Sequence, residues 1–168
     1  MFSKFGCYLD IILEGSLIAL ENLEWIPLAD CDLDAALAKF INIKLFHPGK
    51  ALNDGIRAST GDYLVCISAH CIPEKDNWLE KMMSNFEGNK KIAGVYGRQL
   101  PLSFTDPIDK RDLLIVFGLD RRVQEKDYFF HNANSMIYRS VWEQYPFDEQ
   151  VTNIEDRVWG KQVIEAGY

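Results

Sequence analysis

Three polar clusters in the chain carry residue types suited to chemistry: Asp30, Asp32 and Asp34; Ser68 and His70; and the adjacent pair Glu155 and Asp156. Carboxylates can take protons or neutralise cations, and an imidazole can do the first or bind a metal directly. Each cluster falls at the end of an expected element, where a loop on a rigid edge can face a ligand while the backbone behind it stays paired. Each also has a plainer reading. The three aspartates suit a solvated turn with one of them capping a helix. His70 could be a histidine with an ordinary hydrogen bond. Glu155 and Asp156 open a helical pattern, where acidic side chains favour the positive end of the helix dipole.

The elements that must position these groups follow from periodicity. Apolar residues at Leu9, Ile12, Leu13, Leu17 and Leu20 recur at three and four, which predicts an opening helix. Residues 24–29 read as a strand feeding the aspartate loop, 35–40 as a short helix and 41–46 as a strand, with His47, Pro48 and Gly49 turning the chain. A helix is expected over 52–58, capped near Gly61. The unbroken apolar run 63–67 predicts a strand covered on both faces, whose carboxyl end delivers Ser68 and His70 to a loop. Ligands bind at that edge in open α/β sheets.

Beyond Pro73, residues 78–86 show a helical face and 92–96 a short strand. Residues 98–126 are undecided between an excursion over a cleft and a solvated linker. Residues 140–145 suggest one or two helical turns, and a last helix starts near Glu155 and ends by Gly167.

Composition narrows the class. The chain has 168 residues, 48% hydrophobic and 26% charged, which suits a single domain with a buried core rather than a disordered segment. A formal charge of −7 opposes non-specific attraction to nucleic acid or to an anionic membrane surface. Asp10 and Glu14 interrupt the first apolar group, so neither a signal peptide nor a membrane span is read there. The four cysteines form no C-x-x-C pair, which favours thiols in a reducing compartment, with Cys66 as a small buried hydrophobe. The expected location is cytoplasmic, with peripheral attachment at an inner membrane compatible with it.

Two stretches, taken in order, resemble a known family. The first is residues 51–65 (ALNDGIRASTGDYLV), followed by Pro73 and by Trp78 and Leu79. The second is Asn132-Ala133-Asn134, Arg139, Trp142, Pro146-Phe147-Asp148-Glu149 and then Glu155-Asp156. Both are similar to the family 2 glycosyltransferases, bacterial surface-polysaccharide enzymes among them, whose fold is called GT-A. The resemblance implies one partial GT-A-like domain over residues 1–168: an α/β fold with a mixed, mainly parallel sheet flanked by helices and lacking its first strand. An exposed sheet edge of that kind would favour association or a homo-oligomer.

The same resemblance implies inverting transfer of a sugar from a nucleotide-diphospho-sugar to a carbohydrate or lipid-linked acceptor. It places Asp30 and Asp32 against the donor's base, and Ser68 and His70 against its diphosphate. The family's Asp-x-Asp motif, which presents that diphosphate with Mg²⁺ or Mn²⁺, falls on Ser68-Ala69-His70, where neither acid is present. His70 would then either bind the metal, as a poorer partner for Mg²⁺ than a carboxylate, or donate a hydrogen bond to the diphosphate without a metal. On the acceptor side the resemblance implies Asp156 as catalytic base, with Glu155 and Asn134 contacting the acceptor and Trp159 either an apolar wall against a sugar face or, just as readily, an ordinary core residue. The runner-up is a catalytically impaired domain that binds a nucleotide or a partner. A third reading is an unrelated α/β hydrolase using His70 and the carboxylates on a phosphorylated metabolite.

Overall fold

A computed structural model of the chain describes residues 9–14, 46–68, 71–88 and 91–168, with the backbone path alone for 9–14. In chain order the elements are β1 (Leu9–Glu14), α1 (Pro48–Ala58), β2 (Tyr63–Ser68), α2 (Trp78–Met83), β3 (Gly94–Tyr96), α3 (Pro107–Phe117), β4 (Asn134–Tyr138), α4 (Arg139–Trp142) and α5 (Glu155–Glu165). Among the described residues the strands form one sheet in the order β1-β2-β4-β3. β1 runs parallel to β2, with Leu9 opposite Tyr63 and Glu14 opposite Ser68. β4 is antiparallel both to β2 and to β3.

Two expectations are corrected here. The sheet is mixed but not mainly parallel, because two of its three described pairings are antiparallel. The sheet also has a strand ahead of α1: residues 9–14, read as helix from their spacing, run parallel beside β2. The pattern had drawn Leu17 and Leu20 into one helical face, whereas Ile11 and Ile12 are β-branched and a neighbouring strand offers them pairing, a tertiary effect that spacing does not contain.

β2 is the central strand its composition predicts. Leu64, Val65 and Cys66 are fully buried, and they alternate between two cores. Leu64 and Cys66 join Leu52 and Ile56 of α1, Val141 and Trp142 of α4, Phe147, and Trp159 and Val163 of α5. Val65 packs on the other face with Met136, with Leu79 and Met82 of α2, and with Phe86. Cover on both faces explains why the run is apolar without alternation.

α1 begins earlier than its periodicity suggests, because Pro48 sits in the first turn, where a missing N–H costs nothing and the fixed φ suits a helix. Asn53, 1% exposed, ties this helix to the chain after α4. Its amide donates to Phe147 O at 2.8 Å and Glu149 Oε1 at 3.0 Å, and its carbonyl accepts from Trp142 Nε1 at 2.8 Å and Phe147 N at 3.2 Å. Arg139 closes the other end of the helix by donating to Gly61 O, Ile56 O and Ser59 Oγ.

The undecided stretch contains α3. Asp106 caps it by accepting from Ile108 N at 2.7 Å, Pro107 opens it, and Gly118 ends it at φ 63°, a left-handed conformation that suits glycine. No residue of α3 is buried, and Ile108, Leu114 and Ile115 stand exposed on it. Among the described residues no helix is long and apolar enough to cross a membrane.

Candidate functional site

Antiparallel pairing turns the carboxyl end of β2 toward the head of β4. Ile67 lies opposite Asn134, and Ser68 N donates to Ala133 O at 2.9 Å. β3 arrives at the same edge, where Gly97 N donates to Asn134 O at 2.8 Å. A Cβ on Gly97 would collide with Asn134 Nδ2, so glycine is what lets the Asn134 side chain lie across the end of β3. Ser68, Asn132, Asn134 and Gly97 are therefore gathered at one end of the sheet.

α5 brings the acidic pair there. Asn153 adopts φ 66°, a left-handed turn that asparagine tolerates better than most residues, and the helix starts at Glu155 two residues later. Ile154 supplies no side-chain cap, so the first turn relies on its own acids. Asp156 is partly exposed, and its Oδ1 accepts from Arg157 N at 2.7 Å. Glu155 points inward and is 6% exposed. Burial pushes its carboxyl above the ordinary 4.5, its own backbone N–H pulls the other way, the nearby Asp156 charge adds to the rise, and the Asn132 amide opposes it.

This end of the molecule has polar atoms without partners. Asn132 is 3% exposed, and its Oδ1 accepts from Ser135 Oγ at 3.1 Å. Among the described residues its Nδ2 has no acceptor, and neither Asn134 Oδ1 nor Glu155 Oε2 has a hydrogen-bond partner. Buried polar groups are paired in the great majority of cases, so several open ones in one region mark a place where a ligand or water completes the bonding.

An aromatic group flanks the acidic pair. Phe129 stacks edge to face with Tyr96 and Phe117, His131 packs on Phe117 and Phe129, and the Arg157 guanidinium lies 5.3 Å from the Phe129 ring centre. Phe117 joins α3 to this group through its ring contacts with Tyr96, Phe129 and His131.

The expected site residues separate into three groups. Ser68, Asn134, Glu155 and Asp156 lie among the described residues, with Ser68 and Asn134 on the same sheet edge. Trp159 is corrected: it is fully buried, donates from Nε1 to Tyr145 O at 2.9 Å and packs on Phe130 and Phe147, so it offers no face to an acceptor. Asp30, Asp32 and His70 lie outside the described residues.

Asn132 was missed as a site residue, since the sequence presents it only within a motif. The signal that singles it out, a buried polar atom with no partner among the described residues, exists only in three dimensions.

The described residues do not fit a divalent cation. No group of three or more His, Cys, Asp or Glu among them could hold one. At the first Asp-x-Asp position Ser68 offers a neutral oxygen, and just beyond the motif burial raises the Cys71 thiol above its ordinary value, against the thiolate that a metal needs.

Comparison with known proteins agrees with this architecture. Residues 38–145, more than half the chain, match the family described as Glycosyl transferase family 2. The structure is similar to that of the mannosyltransferase PcManGT from Pyrobaculum calidifontis, solved in complex with GDP-Man and Mn²⁺, with a TM-score of 0.51 and 20% sequence identity. That likeness covers 71% of this chain and 32% of the other, so this chain spans about a third of the length of the protein it matches. A search of curated proteins gives no match.

Proposed function

Since the chain belongs to glycosyl transferase family 2, we propose that it transfers a sugar, with inversion, from a nucleotide-diphospho-sugar to a hydroxyl of a carbohydrate or lipid-linked acceptor. The observation that carries this reading is the partly exposed Asp156 in the first turn of α5. The solved mannosyltransferase held a nucleotide-diphospho-sugar and Mn²⁺, which supports the donor class. On this reading Ser68 contacts the donor diphosphate, joined by His70 and, at the base, by Asp30 and Asp32. Asn134 faces the acceptor.

Asp156 accepts the acceptor's hydroxyl proton as that oxygen bonds to the anomeric carbon. The bond from that carbon to the diphosphate oxygen breaks, and its electron pair leaves with the nucleoside diphosphate. One oxygen of Asp156 is held by the Arg157 N–H, which aims the other and leaves it for the proton.

The test is release of nucleoside diphosphate from a panel of nucleotide-diphospho-sugars in the presence of acceptors. Asp156→Asn keeps the shape but cannot take the proton, and transfer should fall about 10²- to 10⁴-fold. Donor binding, measured by calorimetry with and without Mn²⁺, should be unchanged. The replaced Asp-x-Asp motif gives the runner-up its one argument: nucleotide binding without transfer by the full chain would identify a binding domain instead.

A further inference from the structure

A glutamate that is nearly all buried calls for a reason, because a carboxyl removed from water costs free energy unless it is paired or neutral. Among the described residues Glu155 Oε2 has no hydrogen-bond partner. It sits at the first position of α5, directly before Asp156. Two other elements meet it. A Cβ built on Gly49, in the first turn of α1, would lie 3.4 Å from Glu155 Cβ and against Asp148 O, so only glycine lets α1 come this close. Asn132, just ahead of β4, is near enough to act on the Glu155 carboxyl. The Ser135 hydroxyl fixes the carbonyl end of the Asn132 amide, which leaves Nδ2 as its open donor.

We propose that Glu155 is the positioning residue for Asp156: its buried side chain, with Cβ against the Gly49 turn and the carboxyl beside Asn132, fixes the first turn of α5 and so the direction of the base beside it. This rests on the proposed transfer reaction and replaces the acceptor contact expected of Glu155 from the family resemblance. The open Asn132 donor and the open Glu155 oxygen are complementary, and they join across a small adjustment or one bridging water. A neutral carboxyl serves this purpose as well as a charged one, because what Asn132 needs is an acceptor oxygen. A glutamine, with the same length and an acceptor oxygen, should therefore substitute. An aspartate, one methylene shorter, should not.

Steady-state transfer by the full chain and its Glu155→Gln, Glu155→Asp and Glu155→Ala variants tests this. Displacing a base by about 1 Å can cost on the order of 10²-fold, so kcat should fall by up to that factor in Glu155→Ala and Glu155→Asp. KM for the acceptor and affinity for nucleoside diphosphate should hold. Glu155→Gln should keep most of kcat. If Glu155→Ala does not fold, the contrast between Asp and Gln decides.

Amide hydrogen exchange at Arg157 gives a second readout that needs no activity, because that N–H is bonded to Asp156 Oδ1. Exchange should quicken several-fold in Glu155→Asp and stay near the parent rate in Glu155→Gln. A variant set that raises acceptor KM at constant kcat would make Glu155 an acceptor contact. Unchanged kcat and unchanged exchange in Glu155→Asp would remove it from any role. A parent chain that transfers no sugar overturns the proposed reaction, while the exchange data still decide whether Glu155 holds Asp156.

Discussion

Asn53 and Asn132 are both buried asparagines, one on α1 and one at the head of β4, and their amides are used differently. Asn53 makes four hydrogen bonds, two given and two received. Asn132 receives one, from Ser135, and among the described residues its Nδ2 has no acceptor. The surroundings follow the same division. Around Asn53, Arg139 and Trp142 also have their donors met. Around Asn132, Asn134 and Glu155 each keep an atom open. A saturated polar network specifies a fold, because every member would be stranded by a different packing. An open one lowers stability and makes sense where something else is to be bound.

The sharpest way to break this contrast is to remove both amides in turn. Asn53→Ala strands the Trp142 and Phe147 N–H groups in the interior, and at 1 to 3 kcal/mol for each orphaned group the expected loss is roughly 3 to 5 kcal/mol. Asn132→Ala gives up one bond to Ser135 and relieves an already open donor, so about 1 to 2 kcal/mol is expected. Urea denaturation with an unchanged m-value measures both. Equal losses would mean that Asn132 is as structural as Asn53. Ligand-dependent stabilisation should survive better in Asn53→Ala, to the extent that the variant folds.

The same division explains what was legible in the sequence. β2 and its two-sided burial were readable from five apolar residues, and α5 from its acidic start and its apolar spacing. The motif around Asn53, Arg139, Trp142 and Phe147 was readable as a resemblance, but its role was not. Those residues marked a family, and the structure shows that they bind α1 to α4 and the chain beyond it. β1 was misread because helical spacing and strand pairing competed over the same residues, and only the partner strand decides. For Trp159 a sugar-facing wall and a core role stood side by side, and only burial in the assembled helix decides for the core. Asn132 could not be told from Asn53 at all, since the difference lies in which neighbours arrive.

Acid and base treatment sharpens the contrast at a smaller scale. Burial raises the Glu155 carboxyl above its ordinary 4.5, so the folded form holds its proton more firmly than the unfolded form does. Stability from this group is complete below the ordinary value and is lost as pH rises through the higher folded value. Glu155→Gln has no proton to lose. The difference in melting temperature between the parent and Glu155→Gln should therefore shift in favour of the variant as pH rises from about 4 toward neutrality. A difference that stays flat with pH would mean that Glu155 is solvated as an ordinary carboxylate.

The smallest effect is expected on the scaffold's outer side. Hydrogen bonds from Lys50, and then from Arg57, hold the Asp54 carboxyl below its ordinary range, and hydrogen bonds from Asn53 and then Arg57 do the same for Glu149. Arg57 reaches Asp54 at 2.9 Å and Glu149 at 2.8 Å, but its side chain is half exposed, so solvent screens both pairs. Arg57→Ala should therefore cost under about 1 kcal/mol at neutral pH. The sign with pH is opposite to that at Glu155. A lowered carboxyl contributes stability above its unfolded value and loses it as pH falls through the folded one, so the gap between parent and variant should close in acid. It should also narrow near 1 M salt, where the screening length is about 3 Å. Because Glu149 is shared with Asn53, the double variant should lose less than the two single losses added. Full additivity would place the ion pair outside the Asn53 network and confine that network to the interior.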